Sequence, residues 1–295
     1  MKIYIKKHNS HAGRWIYQGY KSAWEKLGYD VKYYNLLSEI DPGSEHQIMA
    51  LDSDIKNEDI FNLHLANRVY IYAQPNKFPD PWGQHPNFVS SCPDHIITQL
   101  NQMDNVHMWS FTKIKDYHYK WDKVNTIHLA YDSVNYHELP DERYNFDVCF
   151  IGGWANNGYD EKRQIMTEYF KPLTELKLKC GIFINKTLSH SVENKILYNS
   201  KIALNVHDAY QQMLGLDTSE RTFKSLGLTG ALISDDIPVL SDLSLDISIA
   251  ASPKDMQDKI EQMMSIDLKE LKSKNRQMVL ENHTYIRRVQ EMLSL

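Results

Sequence analysis

The feature that most constrains this chain is an alternation of short apolar runs with stretches of helical periodicity, which starts afresh halfway along its 295 residues. Ile3 and Ile5 mark a first strand that stops at the polar loop HNSHAGR. Trp15, Ile16, Gly19, Tyr20, Ala23, Trp24 and Leu27 then recur at the spacing of one helix face. Gly28 closes that helix as a C-terminal cap, and a second strand begins at Asp30. Further strands are expected over 48–51, 69–73, 106–111 and 126–130, with a helix over 57–66. After residue 145 the pattern restarts with FDVCFI, the turn GGWANNG and a helix from Asp160. Strands follow near 178–184, 202–206, 231–234 and 247–250, and residues 268–295 read as helix with a break at Asn282–His283.

Such alternation implies parallel sheets covered by helices on both faces, with ligands at the carboxyl ends of the strands. Two complete sets predict two Rossmann-like α/β domains whose sheets face an interdomain cleft. The polar segment SVNYHELPDERYN, which carries Pro140, separates them. The expected domains are therefore 1–138 and 139–295, the last helix being free to return to the first domain.

Composition excludes several classes. A formal net charge of -5 argues against a dedicated nucleic-acid binder, which needs a basic excess to displace counterions, so no nucleic-acid partner is expected. Cys92, Cys149 and Cys180 lack paired metal-ligand spacing and suit a reduced compartment. MKIYIKKHNS reads as a strand instead of a signal peptide, and no run approaches the ~18 apolar residues of a spanning helix. A soluble, cytoplasmic protein is expected; the sequence carries no signal for its oligomeric state.

The most informative segment is LGLDTSERTFKSLGLTGALISDDIPVL. Thr218 or Ser219 serves as an N-cap, Glu220, Arg221 and Thr222 fill the first turn, and the helix stops at Gly227 or Gly230. A helix start aimed at a cleft offers free N–H groups and a partial positive charge, a seat for a diphosphate. Arg221 or Lys224 can add a charge-assisted contact. An ordinary capped helix with solvated charges fits the same residues equally well.

Four pieces occur in order: HLAYDSVNYHE, YNFDVCFIGGW, NSKIALNVHDAYQQMLGLDTSERTFKSLGLTGALISDD and ENHTYIRRVQEML. Together they resemble the CgeB-like, spore-maturation-protein branch of the group 1 glycosyltransferases. The resemblance implies a GT-B architecture and a nucleotide-sugar donor held mainly by the second domain. It also implies catalysis without a bound divalent metal or other cofactor, the donor being a co-substrate. Group 1 enzymes commonly carry a Glu where this chain has Lys224, and that Glu holds the ribose hydroxyls. A Lys cannot accept those bonds, so either Glu220 assumes the role or Lys224 meets phosphate.

Other loops supply further expectations. Gly152 and Gly153 suit a close backbone approach to the donor, Trp154 can stack on it, and His207 ends a strand on the ligand side. In the first domain Gly13 and Arg14 lie in the loop after the first strand, and His11 there is a candidate base for an acceptor hydroxyl. Asp80 in the PDPWG loop is the rival base, and Trp82 with His85 a possible acceptor platform, simple loop packing being the alternative. Asp52 and Asp54 have the spacing of a metal motif but follow a strand, where a polar strand end explains them. The expected function is sugar transfer from a nucleotide-diphosphate donor to a hydroxyl, on a glycan in the first instance. The alternative is a GT-B-shaped scaffold or sensor without turnover. A modified DNA base as acceptor is disfavoured by the charge.

Overall fold

Every strand pairing in the two expected sheets is parallel. The computed structural model describes residues 1–8, 11–84, 88–113, 116–154 and 161–295. The first sheet comprises β1 (Lys2–Lys6), β2 (Asp30–Tyr34), β3 (His46–Leu51), β4 (Arg68–Tyr72), β5 (Val106–Ser110) and β6 (Val124–Thr126). The second comprises β7 (Val148–Gly152), β8 (Cys180–Ile184), β9 (Ile202–Asn205), β10 (Leu232–Asp235) and β11 (Ser248–Ala250). Their orders are β2-β1-β3-β4-β5-β6 and β11-β10-β9-β7-β8. In each, the chain reverses its direction of travel across the sheet after the second strand. That creates a switch point beside β1 and β3 in one sheet and beside β7 and β9 in the other, where open α/β sheets bind ligands.

Helices α1 (His11–Lys26), α2 (Ile60–Leu65) and α3 (Asp94–Asn101) belong to the first set. The second set holds α4 (Glu161–Phe170), α5 (His190–Asn199), α6 (Ala209–Leu214), α7 (Glu220–Thr229), α8 (Val239–Asp242), α9 (Pro253–Met264) and α10 (Lys269–Asn282). The chain ends in α11 (Tyr285–Leu293), after the break expected near His283. Among the described residues, no helix is long and apolar enough to cross a membrane.

The central strands read as unbroken apolar runs because helices cover both of their faces. β9 and β10 are buried along their whole length, and β3 at every residue but its last. Ile48, Val69 and Ile71 meet Ile96, Ile97 and Leu100 in one core. In the other, Val148, Ile202, Leu204 and Ile233 meet Met166, Met256 and Ile260.

Packing divides the chain into two units, Met1–His128 with Tyr285–Leu295, and Leu129–Thr284. Two local expectations change. The strand expected over 126–130 is β6, which ends at Thr126. Ile127, Leu129, Ala130 and Tyr131 are buried without extending the sheet, so their apolar character reports burial, not ladder pairing. The residues HAGR form the first turn of α1 instead of a loop. Gly13 permits this, because a Cβ there would lie 2.1 Å from the His8 ring. Gly230, with φ at 76°, terminates α7, whereas Gly227 lies inside the helix against the Tyr131 ring.

Candidate functional site

In the second unit, the carboxyl ends of β9 and β10 meet the first turn of α7. β9 ends on Asn205, whose side-chain amide donates to Thr222 Oγ1 at 2.8 Å. Thr222 Oγ1 lies 2.5 Å from Thr218 Oγ1, which lies 2.7 Å from His207 Nε2. His207 Nδ1 is 2.6 Å from Asp235 Oδ1, and its backbone N–H donates to Asp235 Oδ2 at 2.8 Å. One assignment of protons satisfies the whole chain. Each hydroxyl donates onward, Nε2 accepts from Thr218, and Nδ1–H donates to Asp235. It requires a neutral imidazole, and burial does lower the His207 pKa, with Asp235 opposing. Burial pushes the Asp235 carboxyl up, but hydrogen bonds from His207 and Gln212 outweigh it and hold the group at about 2.

Two cations converge beside this network. Arg221 Nη1 donates to Asn205 Oδ1 and to the Val206 carbonyl, both at 3.1 Å, and its guanidinium lies 4.8 Å from the Phe150 ring centroid. Lys162, buried on α4, donates to the same Val206 carbonyl and stands 3.7 Å from Asp208 Oδ1. Burial pulls the Lys162 pKa down to about 8, partly offset by Asp208. Gly152 is required here, because a Cβ would lie 2.9 Å from the Arg221 guanidinium. At Gly153 a Cβ would fall 1.8 Å from Asn185 Oδ1, the atom that accepts the Trp154 N–H at 3.1 Å. Arg163 lies over the Trp154 ring at 5.9 Å.

Ser219 occupies the N-cap of α7 with extended backbone, yet its side chain makes no capping bond. Its Oγ is buried and has no hydrogen-bond partner among the described residues. Lys224, one turn further, is paired with a carboxylate of the protein itself. Its ammonium sits 2.5 Å from Glu193 Oε1 and 5.1 Å from the Tyr136 ring centroid, while Tyr136 Oη donates to Glu193 Oε2 at 2.8 Å. Glu220 is half-buried beside them. Burial raises its pKa to about 7, with Lys224 opposing and Glu193 and Asp132 pushing it further up.

The structure thus brings Gly152, Arg221, Thr218, Thr222 and His207 together, with Ser219, Glu220 and Lys224 on the same helix start. His207 is enclosed, with both ring nitrogens engaged, so it holds the turn in place and offers no face to a ligand. In the first unit Arg14 is exposed, and Asp80 is exposed and accepts from Gln84 at 3.0 Å. Trp82 is only 4% exposed, so its ring packs inward and does not form a surface platform. Asp52 is buried, with its two oxygens accepting from the backbone N–H groups of Ser53 and Gln74, which explains it as a polar strand end. The His11 side chain, His85 and residues 155–160 of the GGWANNG turn lie outside the described residues.

Sequence reasoning missed Lys162, Glu193 and Asp235. A signal existed for Lys162, which falls four residues before Met166 and eight before Phe170, on the apolar face of α4. Asp235 could be recognised only as the polar residue closing an apolar run. Glu193 carried no signal, since nothing local distinguishes it from a solvated helix charge.

A protein-family model described as glycosyl transferase-like matches residues 137–294. No curated protein matches the chain. Among solved structures, T4 phage BGT in complex with UDP-glucose has a TM-score of 0.54 at 12% identity, covering 98% of this chain and 97% of that one. An alpha-glucosyltransferase in complex with UDP and a mismatched 13-mer DNA reaches 0.59 at 11% identity, covering 100% and 99%. A putative UDP-N-acetylglucosamine 2-epimerase from Listeria monocytogenes reaches 0.51 at 9% identity, covering 99% and 94%. Likeness at these identities shows the fold alone, and one fold hosts several chemistries. The two parallel-sheet units and these neighbours show a GT-B fold, and the family match spans more than half of the sequence: the chain belongs to the glycosyl transferase-like family.

Proposed function

We propose that this protein transfers a sugar from a nucleoside-diphosphate donor to a hydroxyl acceptor, and that the second unit binds the donor with its diphosphate at the start of α7. The observation that carries this reading is the convergence of Arg221 and Lys162 on one carbonyl, beside a helix start whose N-cap hydroxyl is buried and has no partner among the described residues. Two cations, a helix N-terminus and a free hydroxyl are the groups that a leaving diphosphate needs as the glycosidic bond breaks. The network from Asn205 to Asp235 holds Thr218 and Thr222 so that the turn does not rearrange when charge develops. Because Glu193 occupies Lys224, Glu220 is the carboxylate left to accept the hydroxyls of the donor. With these cations supplying the neutralisation, the reaction runs without a divalent metal, and a chelator leaves turnover unchanged. The four ordered motifs suggest the spore-maturation-protein branch of the family.

The acceptor on this reading is a glycan hydroxyl. A second reading, transfer to a modified DNA base, is favoured by one observation. An alpha-glucosyltransferase bound to DNA aligns with this chain over nearly the full length of both. Salt-sensitive retention on DNA separates the two.

The test is titration with a panel of nucleoside diphosphates and their sugars. Binding of at least one is expected. Arg221→Ala should lower turnover by about 100- to 1000-fold, the usual loss on removing one donor to a developing oxyanion. Absence of binding across the panel overturns the reading, and binding without turnover makes the protein a scaffold.

A further inference from the structure

The second unit carries an open groove of about 1070 Å³. It lies where Ser200 and Lys201 lead into β9, at the amino edge of the sheet and so opposite the turn before α7. The end of α9 and the length of α10 line it, and the lining has two characters. Met263 and Leu268 contribute buried apolar surface, Ile266 and Leu280 exposed apolar surface. Lys269, Lys272 and Arg276 stand at positions i, i+3 and i+7 of α10, the spacing of one helix face.

These cations are short of anions. Lys272 is half-buried, and its ammonium donates to the Ser200 carbonyl at 2.8 Å, one bond for three N–H groups. Burial pulls its pKa down to about 8, with Arg276 and Lys201 reinforcing and Cys149 opposing, and no carboxylate acts on it. Arg276 donates through Nε and Nη2 to the carbonyls of Leu228, Tyr198 and Thr229, and its guanidinium lies 4.6 Å from the Tyr198 ring centroid. Its Nη1 has no hydrogen-bond partner among the described residues. The carboxylates of the groove are engaged elsewhere. Glu138 accepts from Tyr198 Oη at 3.2 Å, Asp267 from the Lys269 backbone N–H at 2.9 Å, and Glu281 from Gln277 at 2.9 Å. Lys201 is held by Asp147 at 2.7 Å. Asp267 precedes α10 and Glu281 lies in its last turn, so the middle of the helix is left to Lys272 and Arg276.

We infer that this groove binds a free amphiphilic anion, an aliphatic chain ending in a phosphate or carboxylate, as a ligand separate from the sugar donor. The head group takes the open donors of Lys272 and Arg276 through charge-assisted bonds. The chain covers Met263, Leu268, Ile266 and Leu280 and removes their apolar surface from water. A small anion would leave that surface wet, and an uncharged chain would leave the two cations without a counter-charge. The inference does not depend on the transferase reading, because no residue in it belongs to the turn before α7.

Calorimetry at pH 7 with decyl phosphate, kept below the concentration at which it forms micelles, tests this on the intact chain. Inorganic phosphate and decanol supply the head and the chain alone. Decyl phosphate should bind at least about 10-fold more tightly than either. Lys272→Gln, whose amide can keep the bond to the Ser200 carbonyl, should weaken it by about 10-fold or more, the worth of one hydrogen bond to a charged group. Leu280→Ser, at an exposed position, should weaken decyl phosphate and leave inorganic phosphate unchanged. Absence of decyl phosphate binding to the parent overturns the inference without recourse to any variant. So does equal affinity for decyl phosphate and inorganic phosphate, or a Lys272→Gln protein that binds as the parent does. Retention on phosphatidic acid vesicles without binding of the monomer also overturns it, in favour of a membrane surface.

Discussion

Glu220 carries a pH signature close to neutrality. Burial raises its pKa to about 7, against about 4.3 in an unfolded chain. The folded state therefore binds this proton more tightly than the unfolded one. The resulting stability is fully present below the unfolded value and is lost as pH rises through about 7. Glu220→Gln should abolish that loss. The variant should exceed the parent by on the order of 1–2 kcal/mol at pH 8, solvent screening part of the effect, and match it near pH 4.5. Thermal melts of both proteins from pH 4.5 to 8.5 would show it, and parallel curves would refute it. The residue was legible in the sequence as a first-turn carboxylate. Its raised pKa was not, because Glu193 and Asp132, which contribute to it, lie far from it along the chain.

Helix α7 shows the same divide between local and distant causes. Its pattern reads as a capped helix with solvated charges, yet every residue from Thr222 to Thr229 is buried. Three of the polar side chains there have partners. Thr222 meets Asn205, Thr229 Oγ1 donates to the Leu197 carbonyl at 2.6 Å, and Lys224 pairs with Glu193. At the far end Arg276 Nε donates to the Leu228 carbonyl at 2.6 Å and Asn275 Nδ2 to the Gly230 carbonyl at 2.9 Å, satisfying acceptors that the last turn leaves over. The Lys224–Glu193 pair ties α7 to α5. Lys224→Met should cost about 3–5 kcal/mol, because it strands a buried carboxylate. Lys224→Met with Glu193→Leu should recover most of that loss, since an apolar pair leaves no charge unmatched. Urea unfolding of the two variants measures the difference. Equal losses in both would mean that packing, not charge, holds the helices together.

At the scale of the molecule, the first unit is assembled from the two ends of the chain, Met1–His128 and Tyr285–Leu295. α11 lies against α1, where Gly19 faces the Tyr285 ring at a distance that a Cβ would reduce to 2.3 Å. In an isolated helix Gly→Ala stabilises by about 1 kcal/mol. Here Gly19→Ala should instead destabilise by about 1–3 kcal/mol through overpacking, and adding Tyr285→Ala should relieve the clash. Melting temperatures of the single and double variants decide it, and a stabilised single variant would show that α11 yields easily. The alternation of strand and helix, the two parallel sheets, the break before α11 and the glycine caps were all determined by the sequence alone. Periodicity, capping and turn chemistry act over a few residues, so they can be read in order along the chain. Only the tertiary structure decided that Lys162 joins Arg221 on Val206, that Lys224 faces Glu193, and that His207 is enclosed by Asp235 and Thr218. Those outcomes depend on which strand ends and helix starts the fold brings side by side, and desolvation there sets both charge and role.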